Sequence, residues 1–212
     1  MSDTNDMKQE QSMEQDLDQG VEQAGLLELA GLQERFGVAV QSIHEGIDCP
    51  VVVVDRKVIV DVCHYLKDDQ GYDMLIDLCG VDMSEYPGFV EGDSRFEVVY
   101  NLLSIQHNKR LRLKVLLAER ELVSSVVEVW PTANWFEREA FEMYGVIFNH
   151  HPDLRRLLTD YGFEGHPMLK DFPVTGRVEM FFDEEQWRCV YKPNKVENRV
   201  LIERTWPGVD RG

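Results

Sequence analysis

Apolar and polar positions alternate most clearly along two stretches near the middle of the chain. Phe96, Val98, Tyr100 and Leu102 share one phase, and Leu111, Leu113, Val115 and Leu117 share another, with Arg112 and Lys114 between them. Alternation of this kind predicts strands with one face on a core. The short polar link His107-Asn108-Lys109-Arg110 predicts that the two pair as an antiparallel hairpin. Val51–Val54 is a β-branched run after Cys49-Pro50 and reads as a buried strand. Tyr72–Val81 reads as a further strand, closed by the turn cluster Ser84-Glu85-Tyr86-Pro87-Gly88.

Helical spacing appears elsewhere. Val21–Phe36 is expected to be helical, with Leu26, Leu29, Ala30 and Phe36 inward and Gly37 as its stop. Between Arg56 and Lys67, the positions Ile59, Val62, Cys63 and Leu66 favour a helix, although Val58, Val60 and Val62 also fit a strand. Leu122, Val123, Val126, Val127 and Trp130 fall on one side of a helix. Asn134 with Glu137 three residues on has the form of a capping box, opening a helix that ends at Gly145. On that helix Arg138 and Glu142, four apart, are expected to face each other. Val146-Ile147-Phe148 can extend as a short strand. The pattern predicts an α+β fold: a mixed sheet with an antiparallel hairpin and helices on one face, then a long irregular loop and an extended C-terminal tail.

Four regions follow from this pattern. Residues 1–20 hold six acids, four Gln and a lone Lys8 with almost nothing apolar, which predicts a disordered acidic tail. The α+β domain is expected over 21–148. From 149 to 177 the prolines 152, 167 and 173 and the glycines 162, 165 and 176 forbid long regular elements. With Phe148 just before it, that loop is too rich in Leu154, Leu157, Leu158, Tyr161, Phe163, Leu169 and Phe172 to be disordered. From 178 to 212 an extended tail is expected to expose Phe181, Phe182, Trp187 and Tyr191, and exposed aromatic runs usually meet a partner surface.

Charge narrows the function. With 39 acids against 22 bases the formal net charge is −17, which argues against nucleic acid and against direct docking on anionic lipid. Residues 150–177 instead balance four acids with four bases, which suits ion pairing or an interface. No apolar run approaches the roughly 20 residues of a membrane span, and the N-terminus has neither a basic nor an apolar leader segment, so no secretory signal and no direct membrane insertion are expected. The four cysteines, Cys49, Cys63, Cys79 and Cys189, include no close-spaced pair and support neither zinc nor an iron–sulfur cluster.

Catalytic chemistry finds little support. His150, His151 and His166 with Asp153 or Asp171 match no metal-ligand spacing with a mechanism, though an autonomous hydrolase or metalloenzyme built on them is the competing reading. Glu137 and Glu139 lie two apart on a helix and point about 200° apart, so they cannot act on one substrate atom. No phosphate-binding glycine loop follows a strand, and no nucleophile context stands out. The residues look chosen for binding, and a generic binding module is the third reading.

Glu137-Arg138-Glu139 followed by Gly145, His151-Pro152 with Leu154-Arg155-Arg156, and Phe163-x-Gly165-His166-Pro167 with Lys170-Asp171-Phe172-Pro173 together resemble the signature of the C-type subunit of proton-translocating NADH:quinone oxidoreductase, respiratory complex I. The likeness spans about 40 positions in consistent order. It departs from the usual pattern at Phe141, at Glu142, at His150 (where Gly is often seen) and at Met168-Leu169-Lys170, which lacks one cation. The resemblance implies a non-redox component of the peripheral arm that binds no cofactor itself, docks on the D-type subunit beside the quinone site and on other arm subunits, and supports assembly. It implies a complex that passes electrons from NADH through FMN and iron–sulfur clusters to quinone, coupled to proton translocation, with the chain held peripherally on the energy-coupling membrane by its partners. Under that implication Glu137, Arg138, Glu139, His151, Pro152, Arg155, Arg156, His166, Lys170, Asp171, Phe172, Pro173 and Arg177 are the interface candidates, with no catalytic residue and no metal ligand among them.

Overall fold

A computed structural model of the protein describes residues 31–90 and 92–196. The acidic tail 1–20, most of the expected helix Val21–Phe36 and residues 197–212 lie outside these.

Residues 31–36 are helical (α1) and end in a 3-10 turn, Gly37–Ala39, that leads into a strand the pattern did not predict, β1 (Val40–Glu45). Its sequence, Val-Gln-Ser-Ile-His-Glu, buries little, so its strand character comes from pairing with its neighbour β2 (Pro50–Val54). Helix α2 (Ile59–His64) continues into a wider turn, Tyr65–Asp69, and buries Ile59, Val62, Cys63 and Leu66. These are the positions whose spacing favoured a helix. Strands β3 (Met74–Asp82), β4 (Phe96–Ser104) and β5 (Lys109–Leu117) follow, and the last two form the expected hairpin.

The sheet order is β1-β2-β5-β4-β3. Neighbours are antiparallel except β2 and β5, which run parallel with Val52 beside Leu113 and Val54 beside Val115. A mixed sheet of an α+β fold results. Leu111, Leu113, Val115 and Leu117 are buried on the same side as Val98, Tyr100 and Leu102, while Arg112 and Lys114 face the other way. On that second face Lys114 pairs with Glu97 at 2.6 Å and Arg112 bonds Asn101 across the β4–β5 pair.

The segment from Leu122 to Trp130 is not a helix. Leu122–Ser124 is a short strand, β6, paired in parallel with β7 (Ile147–Asn149), and a run of tight turns follows. Val129 and Trp130 both donate their N–H to the Val126 carbonyl, so Val126, Val129 and Trp130 fall at i, i+3 and i+4 without a continuous helix. Stacked turns thus reproduce helical spacing, while the β-branched Val123 and the polar Ser124-Ser125 favour the strand.

The capping box is also absent. Helix α3 (Ala133–Tyr144) starts behind Thr132 with no side-chain cap, and Asn134 lies inside it. The preceding turns supply acceptors instead: Ala133 donates to the Trp130 carbonyl and Asn134 to that of Pro131. At the other end Gly145 does close the helix, at φ 81°, with its N–H on the Phe141 carbonyl.

Helix α3 lies against β3, close enough that a Cβ on Gly80 would stand 2.6 Å from the Tyr144 ring. Gly80→Ala is therefore expected to push α3 off β3 and cost about 1–3 kcal/mol, read as a lower urea midpoint with an unchanged slope.

Candidate functional site

The outer side of α3 carries the loop of residues 150–177. Arg138 and Glu142 share one helix face, as four-residue spacing requires. Instead of facing each other as expected, both turn to the backbone of the same loop segment. Arg138 donates from Nε to the Arg155 carbonyl at 2.9 Å and from Nη2 to the Arg156 carbonyl at 3.0 Å. One turn on, Glu142 accepts the N–H groups of Leu157, Leu158 and Thr159 at 2.6, 2.7 and 2.5 Å, together with the Thr159 hydroxyl. Three successive N–H groups aimed at one carboxylate form an anion nest. Burial pushes the Glu142 carboxyl up, but the Thr159 hydroxyl and these N–H groups outweigh it and bring its pKa down to about 2.

The two histidines of the signature are braces. His151 takes the tautomer in which Nε2–H donates to the Asn134 carbonyl at 3.1 Å and Nδ1 accepts the Asp153 N–H at 3.0 Å. His166 donates from Nδ1 to the Glu142 carbonyl at 2.8 Å, and Met168 donates its N–H to the Met143 carbonyl. Two carbonyls left over at the helix end are satisfied in this way. Gly145 is needed there twice, for its left-handed φ and because a Cβ would meet the His166 ring at 3.0 Å. Among the described residues no group of three or more His, Cys, Asp or Glu is placed to hold a metal ion.

The far end of the loop is tied to the sheet through residues that carried no signal in the charge pattern. Asp82, at the end of β3, accepts Nε and Nη2 of Arg95 at 3.1 and 2.9 Å. It also accepts the N–H groups of Ser84 and Lys170. Burial raises the Asp82 carboxyl, yet the Arg95 guanidinium and those N–H groups prevail and hold it well below the usual carboxylate range. Arg95 reaches on to Glu119 at 2.7 Å and Asp171 at 3.2 Å. One sequence clue to Asp82 existed: it sits in the same inward phase of β3 as Leu78 and Gly80, a position where an acid needs a partner.

Aromatic contacts complete the loop. Phe163 stacks on Phe172 with centroids 5.9 Å apart, Arg156 lies over Phe163, and Arg177 lies over Phe172. Arg156 also donates to the Thr159 hydroxyl and the Gly165 carbonyl. Pro173 accepts the Gly176 N–H in a turn.

The remaining candidates divide by exposure. Glu137 faces the interior and accepts the Val126 N–H at 2.7 Å. Glu139, Pro152, Arg155, Lys170 and Arg177 present their side chains outward, and Arg155, 72% exposed, pairs with Asp153 two residues away. Around them Trp135, Leu158, Tyr161, Met168 and Val174 are exposed as well.

After Gly176 the chain forms a hairpin instead of a single extended tail. Strands β8 (Val178–Asp183) and β9 (Arg188–Pro193) pair with Val178 opposite Pro193, Met180 opposite Tyr191 and Phe182 opposite Cys189. These six residues share one face, and none of them is buried. Trp187 extends this face with an edge contact on Phe182. The other face carries the Glu179–Lys192 pair, with Lys192 over Phe181.

Two outcomes follow. Between pH values of about 2 and 4.5 the folded chain binds fewer protons at Glu142 than the unfolded chain, so stability rises with pH across that window. The contribution is complete above it and lost as pH falls through it. Glu142→Gln is therefore expected to cost about 2–3 kcal/mol at neutral pH, and the gap between variant and parent should narrow on acidification, as measured by denaturant titration. His150 holds a left-handed φ of 63°. His150→Gly is expected to be neutral or to stabilise by up to about 1 kcal/mol, checked by thermal unfolding.

Comparison with known proteins gives a consistent result. Residues 52–178 match the family model described as "Respiratory-chain NADH dehydrogenase, 30 Kd subunit". A protein of Acidithiobacillus ferrooxidans named as the C-type subunit of NADH-quinone oxidoreductase is 48% identical over 177 residues, covering 82% of this chain and 87% of that protein. Proteins of the same name from Methylobacterium sp. and Coxiella burnetii are 50% and 41% identical, covering 84% and 81% of this chain and 83% and 88% of their own lengths. A solved trypsin-resistant fragment (1-134) of Nqo5 superposes with a TM-score of 0.54 at 28% identity, covering 61% of this chain and 99% of the fragment. A chain of an archaeal membrane-bound sulfane sulfur reductase, 17% identical, covers 71% of this chain and 86% of its own length with a TM-score of 0.58, and shares the fold. With the family model covering more than half of the sequence and relatives near 50% identity, the chain belongs to the 30 kDa subunit family of respiratory-chain NADH dehydrogenase, the C-type subunits of complex I.

Proposed function

We propose that the chain is a non-redox docking and assembly component in the peripheral arm of complex I. It grips the D-type subunit, the neighbour beside the quinone site, with the loop 150–177 and the hairpin β8–β9. FMN, the iron–sulfur clusters, NADH and quinone are bound by other subunits. The membrane is reached through those partners. Among the described residues no helix is long and apolar enough to cross one.

The observation that carries this reading is the one-sided hairpin. Val178, Met180, Phe182, Cys189, Tyr191 and Pro193 form a continuous apolar face with Trp187, 79% exposed, at its edge. An isolated two-stranded hairpin is marginal in water, so covering this face with a partner would stabilise the hairpin and the contact together. The loop gives a second support. The buried charges beneath it on α3, Arg138 and Glu142, are consumed in fixing the loop backbone, which leaves Trp135, Tyr161 and Val174 outward on a braced base. Rigid aromatic anchors are what interface hot spots are made of.

Phe182→Glu combined with Tyr191→Glu tests this in the intact complex. These side chains touch little of the rest of the chain, so the full-length protein should keep its unfolding temperature. Its recovery in membrane-purified complex, and NADH:quinone activity with it, should fall by about tenfold or more, the effect of losing a hot-spot aromatic. Full recovery of active complex would refute the docking role. A second comparison separates gripping from bracing. Arg155→Ala should reduce incorporation with little loss of stability in the isolated chain, whereas Arg156→Ala should lower stability first, because Arg156 holds Thr159 and Gly165.

A further inference from the structure

Glu137 lies on the inner side of α3, directed into the core and away from the docking loop. It is completely buried, as is Tyr100 on β4. Its Oε1 accepts the Val126 N–H at 2.7 Å, and Ser125 lies near enough to favour the charged carboxyl. Neither its second oxygen, Oε2, nor the Tyr100 hydroxyl has a hydrogen-bond partner among the described residues. The titratable groups facing it are Cys63 from α2 and Tyr100 from β4, and its own helix turns Arg138 outward to the loop carbonyls. No cation among these neighbours therefore compensates a charge on this carboxyl. An ionised carboxylate in such a place would keep one oxygen without a donor, and a group in that position takes up a proton instead.

We propose that Glu137 is carried inside the fold as a proton-bearing carboxylic acid, and that loss of this proton to solvent unlatches the Ser125-Val126 turn from α3. The acid form keeps the Val126 N–H on one oxygen and leaves the apolar surroundings without a net charge. The anion can be hydrated only if the turn opens and admits water. Because β6 pairs with β7 immediately before this turn, and the Ser125 N–H donates to the Asn149 carbonyl, opening also loosens the base from which the docking loop departs. Burial, exceeding the pull of Ser125 and Val126, raises the carboxyl to about 7 from an ordinary 4.5, in agreement with this arrangement.

The direction in pH follows. Between those two values the closed chain holds a proton that the open one has lost, so opening is favoured about tenfold per pH unit as pH rises and levels off above about 7. This is opposite in sign to the contribution of Glu142, five residues along the same helix. The inference concerns the fold and holds whether or not the docking reading does.

Two measurements on the full chain test it. With glutamate labelled at the side-chain carboxyl carbon, infrared difference spectra should show a protonated-carboxyl band that disappears as pH passes about 7. Complete ionisation of every glutamate by about pH 6 would overturn the proposal. In hydrogen exchange, protection of the Val126 amide, corrected for intrinsic rate, should fall about tenfold per unit from about pH 5 to about pH 7, while Glu137→Gln should hold it flat. An equal slope in the variant and the parent would also overturn it. The infrared result is read on the unaltered chain, so the proposal stays testable if the variant fails to fold.

Discussion

Glu142 is the group on which the arrangement of the signature loop depends. Its carboxylate gathers three consecutive backbone N–H groups and one hydroxyl from residues 157–159. A loop of this length cannot satisfy its own backbone by regular pairing, and buried backbone groups left without partners cost as much as lost hydrogen bonds. The helix solves the problem with two side chains one turn apart. Arg138 brings donors to two loop carbonyls, and Glu142 brings acceptors to the following amides. The spacing of the pair on α3 therefore sets the position of five loop residues, and everything from Arg155 to Thr159 is placed by it.

This placement changes what the charges of the signature mean. Charge balance over 150–177 suggested ion pairing or an interface; Asp153 with Arg155 and Asp171 with Arg95 do pair, and the structure adds a third use, in which charges on and around the loop hold its backbone. Arg138, Arg156, Glu142 and Asp82 bond main-chain groups, and both histidines do the same with their ring nitrogens. The Asp82–Arg95–Asp171 cluster, by contrast, is a network of charges bonded to one another, and Asp82 is shielded from water while Asp171 is not. Charge density in a loop is therefore a poor measure of what the loop offers to a partner.

Much of the sheet was legible because burial on one side imposes a period of two. Val98, Tyr100 and Leu102 and the matching positions of β5 could be read directly, and so could the helix under Ile59, Val62 and Cys63. Three features were not. Strand β1 is held by its neighbour and has no apolar pattern of its own. The turns around Val126 borrow the spacing of a helix. Asn134 and Glu137 have the form of a capping box, but the turns before α3 already supply the acceptors, which frees Glu137 to point inward. At the site, the family signature located the loop, whereas its anchor at Asp82 and Arg95 lies more than 70 residues upstream of Asp171 and is joined to it only by folding. The apolar face of the hairpin was half visible. The aromatics were noted, but that Phe182 and Tyr191 share a face while Phe181 lies on the other needs the register of Phe182 with Cys189, which a list of exposed residues does not contain.

Helix α3 also carries two acids of the same type whose surroundings shift them in opposite directions. Glu137 and Glu142 are both buried, and composition alone would treat them alike. What differs is the supply of donors. Four reach Glu142 and favour its charge, so burial there is offset and its pKa falls to about 2. Glu137 is met on one oxygen only, and burial raises it to about 7. Desolvation acts in the same direction on both, so the number and direction of the N–H and O–H groups decide the sign. The loop supplies the donors on one side, and on the other the turn at Val126 leaves one oxygen without any. The loop thus stabilises the charge that holds it. Moving the loop off the helix would leave the Glu142 carboxylate without those donors, which ties the loop's position to the ionisation of a side chain beneath it.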